Sequence, residues 1–121
     1  MFAVDIHRVA TYSAVMVREV REPSFLILTA LSAGELHGYG IVQEIETISD
    51  GRVQMGTGTL YGALERLQSD GLVEATREET VDGRLRRYYR ITKSGTDALR
   101  REVARHESNV RAARVRLAGA S

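Results

Sequence analysis

The sequence predicts a mainly α fold with a small antiparallel β-hairpin and a long closing helix. Three observations carry this. Three stretches of leucine and isoleucine recur at helical spacing before residue 70. Two strand-like segments flank the dipeptide Asp82-Gly83, a strong hairpin signal. The remaining chain, from Thr92 to about Leu117, holds no helix breaker apart from Gly95 and keeps a regular apolar stripe.

Residues 1–21 form an N-terminal extension of mixed polarity. Val9, Tyr12 and Met16 suit one helical face, and a flexible arm fits the segment equally well. The first clear helix opens at Glu22-Pro23-Ser24, since proline is tolerated in a first turn. Phe25, Leu28 and Leu31 recur at helical spacing, and Gly34 ends the run. A second helix follows His37-Gly38-Tyr39. Ile41, Val42, Ile45 and Ile48 supply its apolar face, and Asp50-Gly51 closes it. After a short extended piece, Gly56-Thr57-Gly58-Thr59 is a plausible cap region for a third helix. Leu60, Leu64 and Leu67 mark its buried side, and it ends near Ser69-Asp70-Gly71.

Strands are expected over Leu72 to Thr80 and Arg84 to Ile91. Alternation puts Arg84 and Arg86 on one face with Tyr88, away from Leu85, Tyr89 and Ile91. Thr92 is a candidate cap for the last helix. Leu99, Val103, His106, Val110, Ala113 and Leu117 are spaced 4, 3, 4, 3, 4, a narrow seam suited to one partner helix. Packing of that stripe onto the chain's own core is the alternative.

Composition narrows the function. The 121 residues fit one domain, and the absence of cysteine excludes disulfides, thiolate metal sites and a cysteine nucleophile. No apolar run is long enough to span a membrane and no secretory signal is visible, so a cytoplasmic protein is expected. No Ser-His-Asp arrangement, phosphate-binding glycine loop or metal-ligand spacing appears, so neither an enzyme nor a cofactor is expected. Net charge is only +1, but residues 1–83 carry 6 basic and 13 acidic side chains, whereas residues 84–121 carry 11 basic and 3 acidic. Such asymmetry points to a local surface for an anionic partner.

Three helices followed by a hairpin is the order of a winged helix-turn-helix, here over residues 22–91, with residues 92–121 as a C-terminal dimerisation helix and tail. In that architecture the third helix enters a major groove about 12 Å wide, and the hairpin lies against the backbone. Thr57, Gly58 and Thr59 are small enough to let the helix tip approach double-stranded DNA, or they act only as caps. Arg84 and Arg86 are candidate phosphate contacts, against the alternative of ion pairs with Glu78 and Glu79 across the hairpin. Arg66 is an exposed candidate on the third helix, and Gln54 and Met55 are weaker ones. His37 is expected to make local hydrogen bonds. His106 interrupts the seam, where it is either a wet histidine or, with Leu99 and Val103, part of a small effector pocket.

The residues themselves resemble the PadR family of bacterial transcriptional regulators over roughly residues 22–117. The resemblance lies in Leu36-His37-Gly38-Tyr39, in Gly58-Thr59-Leu60-Tyr61 with Leu64, Leu67 and Asp70-Gly71-Leu72, and in Arg87-Tyr88-Tyr89-Arg90-Ile91-Thr92 with Gly95, in that order. It implies a dimeric winged-helix repressor of the smaller branch, binding an inverted-repeat operator and released by a small effector. It also implies that the Tyr61 hydroxyl meets a DNA phosphate; packing at the core edge is the alternative. Some members hold flat aromatic drugs with a tryptophan on the last helix. This chain has no tryptophan, and His106 stands near that place. A winged helix used as a protein-interaction module, without specific DNA binding, is the competing function.

Overall fold

The structure is a computed structural model and describes residues 20–120. The elements are α1 (Glu22–Leu31), β1 (Leu36–His37), α2 (Gly38–Ile48), α3 (Thr57–Ser69), β2 (Val73–Val81), β3 (Arg84–Ile91) and α4 (Lys93–Ala120). The expected helix or arm over residues 1–21 lies outside the described residues, except for Val20 and Arg21.

α1 is buried nearly all round. Ser24, Leu26, Ile27, Leu28, Ala30 and Leu31 are all inaccessible, as for a helix at the centre of a fold. α2 adds Ile41 and Ile45, and α3 adds Leu60, Ala63, Leu64 and Leu67 to one continuous core. Ile48, expected on the apolar face of α2, lies at the helix end and is exposed. Met55 is also part of this core, so it is not a surface contact.

The sheet has three antiparallel strands in the order β1-β3-β2, rather than a bare hairpin. Leu36 pairs with Tyr89 and His37 with Tyr88, which ties the start of α2 to the wing. The β2–β3 turn uses Asp82 at φ 51° and Gly83 at φ 76°, two left-handed residues in a row, as a tight hairpin needs. A bulge lies between Ala75 and Arg77. There the Thr76 hydroxyl donates to Glu35 Oε2 at 2.8 Å, and Arg77 Nε donates to Glu35 Oε1 at 2.7 Å. These bonds fasten the bulge to the residue before β1.

Leu85 does not join the core. It has the alternation expected of the inner face, but the wing tip extends past the helices and leaves it 64% exposed. Thr92 is the cap of α4: its Oγ1 accepts from the Gly95 N–H at 3.0 Å and donates to the Gly71 carbonyl at 2.7 Å. The first turn of α4 then lies so close to β2 that a Cβ on Gly95 would collide with the Leu72 carbonyl oxygen. Among the described residues, no helix is long and apolar enough to cross a membrane.

Candidate nucleic-acid interface

Burial of Leu60, Ala63, Leu64 and Leu67 fixes which side of α3 faces out. Thr57, Gly58, Thr59, Tyr61 and Arg66 are all on the exposed side. The residue capping α3 is Gly56, which has no side chain, so the threonines are not the N-cap and the first-turn N–H groups are left open. Arg66 lies in the last turn, away from this tip. Tyr61 is 47% exposed. Its ring leans on the start of α2, where a Cβ on Gly38 would strike the Tyr61 hydroxyl, so only glycine permits this seat.

The wing contains five arginines, and they divide by partner. Arg87 pairs with Glu78 at 3.1 Å, Arg90 with Glu74, and Arg77 with both Glu35 and Glu79 at 2.7 Å. Arg84 and Arg86 form no salt bridge among the described residues. Glu78 is instead paired across the hairpin by Arg87, and Glu79 along its own strand by Arg77. Glu79 stands opposite Arg86 in the register, but its carboxylate is taken by Arg77, two residues away on the same strand.

Tyr61, Arg84 and Arg86 meet across a cleft of about 450 Å³ that Tyr39 and His37 complete. His37 departs from expectation. Its imidazole makes no hydrogen bond among the described residues. It packs instead against the Tyr88 ring, 5.4 Å between centroids, and the Tyr39 ring at 6.5 Å. Tyr88 is itself covered by the Arg77 guanidinium, 3.8 Å from the ring centre. Tyr39 is an exposed aromatic at the cleft rim, not among the DNA-contact residues expected from the sequence. Its position after Gly38, at the first turn of α2, was the available signal.

The stripe on α4 divides in two. Leu99 packs on the chain's own core, while Val103, Val110 and Leu117 are exposed, the last two at 50% and 71%. His106 and Ala113 are exposed as well. His106 stacks on Phe25 with centroids 4.8 Å apart. Val103, His106 and Val110 line a shallow groove of about 530 Å³ with Phe25 and Val115; Leu99 is not part of it.

One acidic residue runs against the charged character expected of α4. Glu102 is only 5% exposed. Both its oxygens accept from Arg105, at 2.8 to 3.1 Å, and Oε1 also accepts from the Val20 N–H at 3.1 Å. Burial opposes ionisation, but the Arg105 and Val20 bonds outweigh it and hold the carboxyl below its ordinary value.

Comparison with known proteins identifies the family and the fold. Residues 27–101 match the family model described as the transcriptional regulator PadR-like family. Transcriptional regulator Rv3488 of Mycobacterium tuberculosis is 41% identical over 73 residues, 60% of this chain and 64% of that protein. A transcriptional regulator from Clostridium thermocellum has a TM-score of 0.66 and 26% identity, covering 75% of this chain and 88% of its own. Bacillus subtilis PadR, solved in complex with operator DNA, has a TM-score of 0.61 over 70% of this chain and 48% of its own; at 23% identity it shows the shared fold. The matched stretches span 22% to 64% of the curated relatives' lengths. The family model takes in more than half of the chain, which therefore belongs to the PadR-like family of transcriptional regulators, not to a family of enzymes.

Proposed function

We propose that this protein is a cytoplasmic, dimeric, sequence-specific DNA-binding repressor. Residues 22–91 are its DNA-binding unit and residues 92–121 its dimerisation segment. The observation that carries the reading is the pair Arg84 and Arg86. Of the three wing arginines that line one cleft with Tyr61 beside the open α3 tip, they are the two without carboxylate partners among the described residues. Unpaired guanidinium groups have full charge available for phosphates. Thr57, Gly58 and Thr59 approach the groove, and Arg66 meets the backbone further along α3. The operator-bound state of Bacillus subtilis PadR supports the same use of a shared fold.

Dimerisation is supported by the second half of α4. From Val103 onward the apolar stripe is exposed among the described residues apart from the Phe25 ring on His106, and a helix with such a stripe is stabilised by a partner helix. Val103, His106, Val110, Ala113 and Leu117 form that seam, with Leu99 at its inner end. Val103 and His106 also line the groove where an aromatic or phenolic effector would bind and lower DNA affinity.

The test is selection of bound sites from random duplex DNA, followed by sizing of the complex. The expected product is an inverted repeat with half-sites one helical turn apart or a multiple, bound by two protomers. Recovery of no preferred site, with affinity lost at moderate salt, favours a protein-interaction module instead. Failure of every aromatic and phenolic ligand to change DNA affinity rules against the effector.

A further inference from the structure

The cleft at the start of α2 holds a titratable ring as well as two cations, Arg84 and Arg86, that have no carboxylate partner among the described residues. His37 is half-buried on its wall, wedged between the Tyr39 and Tyr88 rings, and no protein acceptor or donor engages its nitrogens among the described residues. A ring held by tilted aromatic contacts is free to take a proton without breaking a hydrogen bond. β1 pairing places it opposite Tyr88 on β3, within reach of the Arg86 charge.

We propose that this cleft seats one DNA phosphate, and that His37 gains a proton as the phosphate enters. The proposal rests on the DNA-binding reading above and adds a proton to it.

The groups that face the ring set the direction. Arg84, Arg86, Arg87 (paired with Glu78) and Tyr88 come from β3, Glu79 from β2, Tyr39 from α2 and Tyr61 from α3. Burial keeps the free imidazole below its ordinary value. The Arg86 charge pushes the same way, and Glu79 pushes back. Glu79 is occupied by Arg77, so the cleft is net positive and the ring is neutral near pH 7. A phosphate adds negative charge beside the ring and offsets Arg86. Both changes favour the imidazolium, so the bound value lies above the free one. Binding then consumes a proton, and affinity rises as pH falls from the bound value toward the free value. The limit is about tenfold in affinity per pH unit for each seated phosphate.

The experiment uses the full chain and a duplex recovered by site selection. Histidine ring resonances are titrated by NMR with and without the duplex, and His37 is assigned through His37→Gln. Calorimetry in two buffers of different ionisation enthalpy counts the protons taken up. The expected result is an upward shift of the His37 titration in the complex, and proton uptake that disappears in His37→Gln. An unshifted His37 in wild-type complex, or equal uptake by His37→Gln, overturns the proposal and leaves DNA binding standing. Absence of duplex binding from about pH 5.5 to about pH 8 overturns both. If His37→Gln does not fold, His37 is assigned by sequential triple-resonance NMR of the wild type, whose titration then decides the matter.

Discussion

Arg86 and Arg87 are neighbours in sequence and opposites in chemistry. Arg87 is bound to Glu78, whereas Arg86 has no carboxylate partner among the described residues and looks into the cleft with Tyr61. Strand alternation separated them by face but not by partner. Partner choice depends on Arg77, which takes Glu79 and reaches Glu35 across the Thr76 bulge, and a bulge leaves no signal in periodicity. Glu102 was invisible for a similar reason. A glutamate on a charged helix reads as solvated, and only the return of Val20 to α4 buries it. Replacing Glu102 by Gln leaves Arg105 without its carboxylate and weakens the bond to Val20. The expected cost is about 1–3 kcal/mol in urea unfolding at neutral pH. Because the folded value lies below the ordinary 4.5, this stabilisation is complete above that pH and is lost as pH falls through the folded value. Wild type and Glu102→Gln should therefore converge in stability in acid; a constant difference would contradict the assignment.

Element by element, the order of helices and hairpin was legible because each has a local cause: leucine spacing in α3, Asp82-Gly83 at the turn, Thr92 at the α4 cap. β1 was not, since two residues carry no period and their pairing with Tyr88 and Tyr89 is some fifty residues distant in the chain. The junction between β2 and α4 offers a direct check on packing. Alanine in a helix is ordinarily better than glycine by about 1 kcal/mol. At Gly95 the Leu72 carbonyl occupies the space, and that carbonyl is already an acceptor for the Thr92 N–H at 3.0 Å. Gly95→Ala is expected to lower thermal stability by about 1–3 kcal/mol, since relief requires the strand and helix to separate. A stabilised variant would mean that α4 does not sit against Leu72.

At the scale of the whole molecule, two surfaces diverge from one core: a polar tip with a wing, and an apolar stripe, exposed among the described residues, on a helix about 42 Å long. The stripe is expected to join two copies, so that both tips address one duplex. Val110→Glu places a charge in the middle of the seam; sedimentation should then report a monomer, with DNA affinity reduced at least about tenfold through loss of the linked second site. A variant that stays dimeric would move the interface elsewhere. The basic excess of residues 84–121 points to a surface for an anionic partner, and within the wing the pairing of Arg87 and Arg90 narrows the charges open to DNA. The central claim is that Arg84 and Arg86 are those charges. Its most direct measurement is the salt dependence of duplex binding by wild type and the Arg84→Ala/Arg86→Ala double variant. Each lost phosphate contact should reduce the slope of log K against log salt by about 0.9, hence by nearly two per protomer. An unchanged slope would contradict the account, because the wing would then contact DNA, if at all, through other residues.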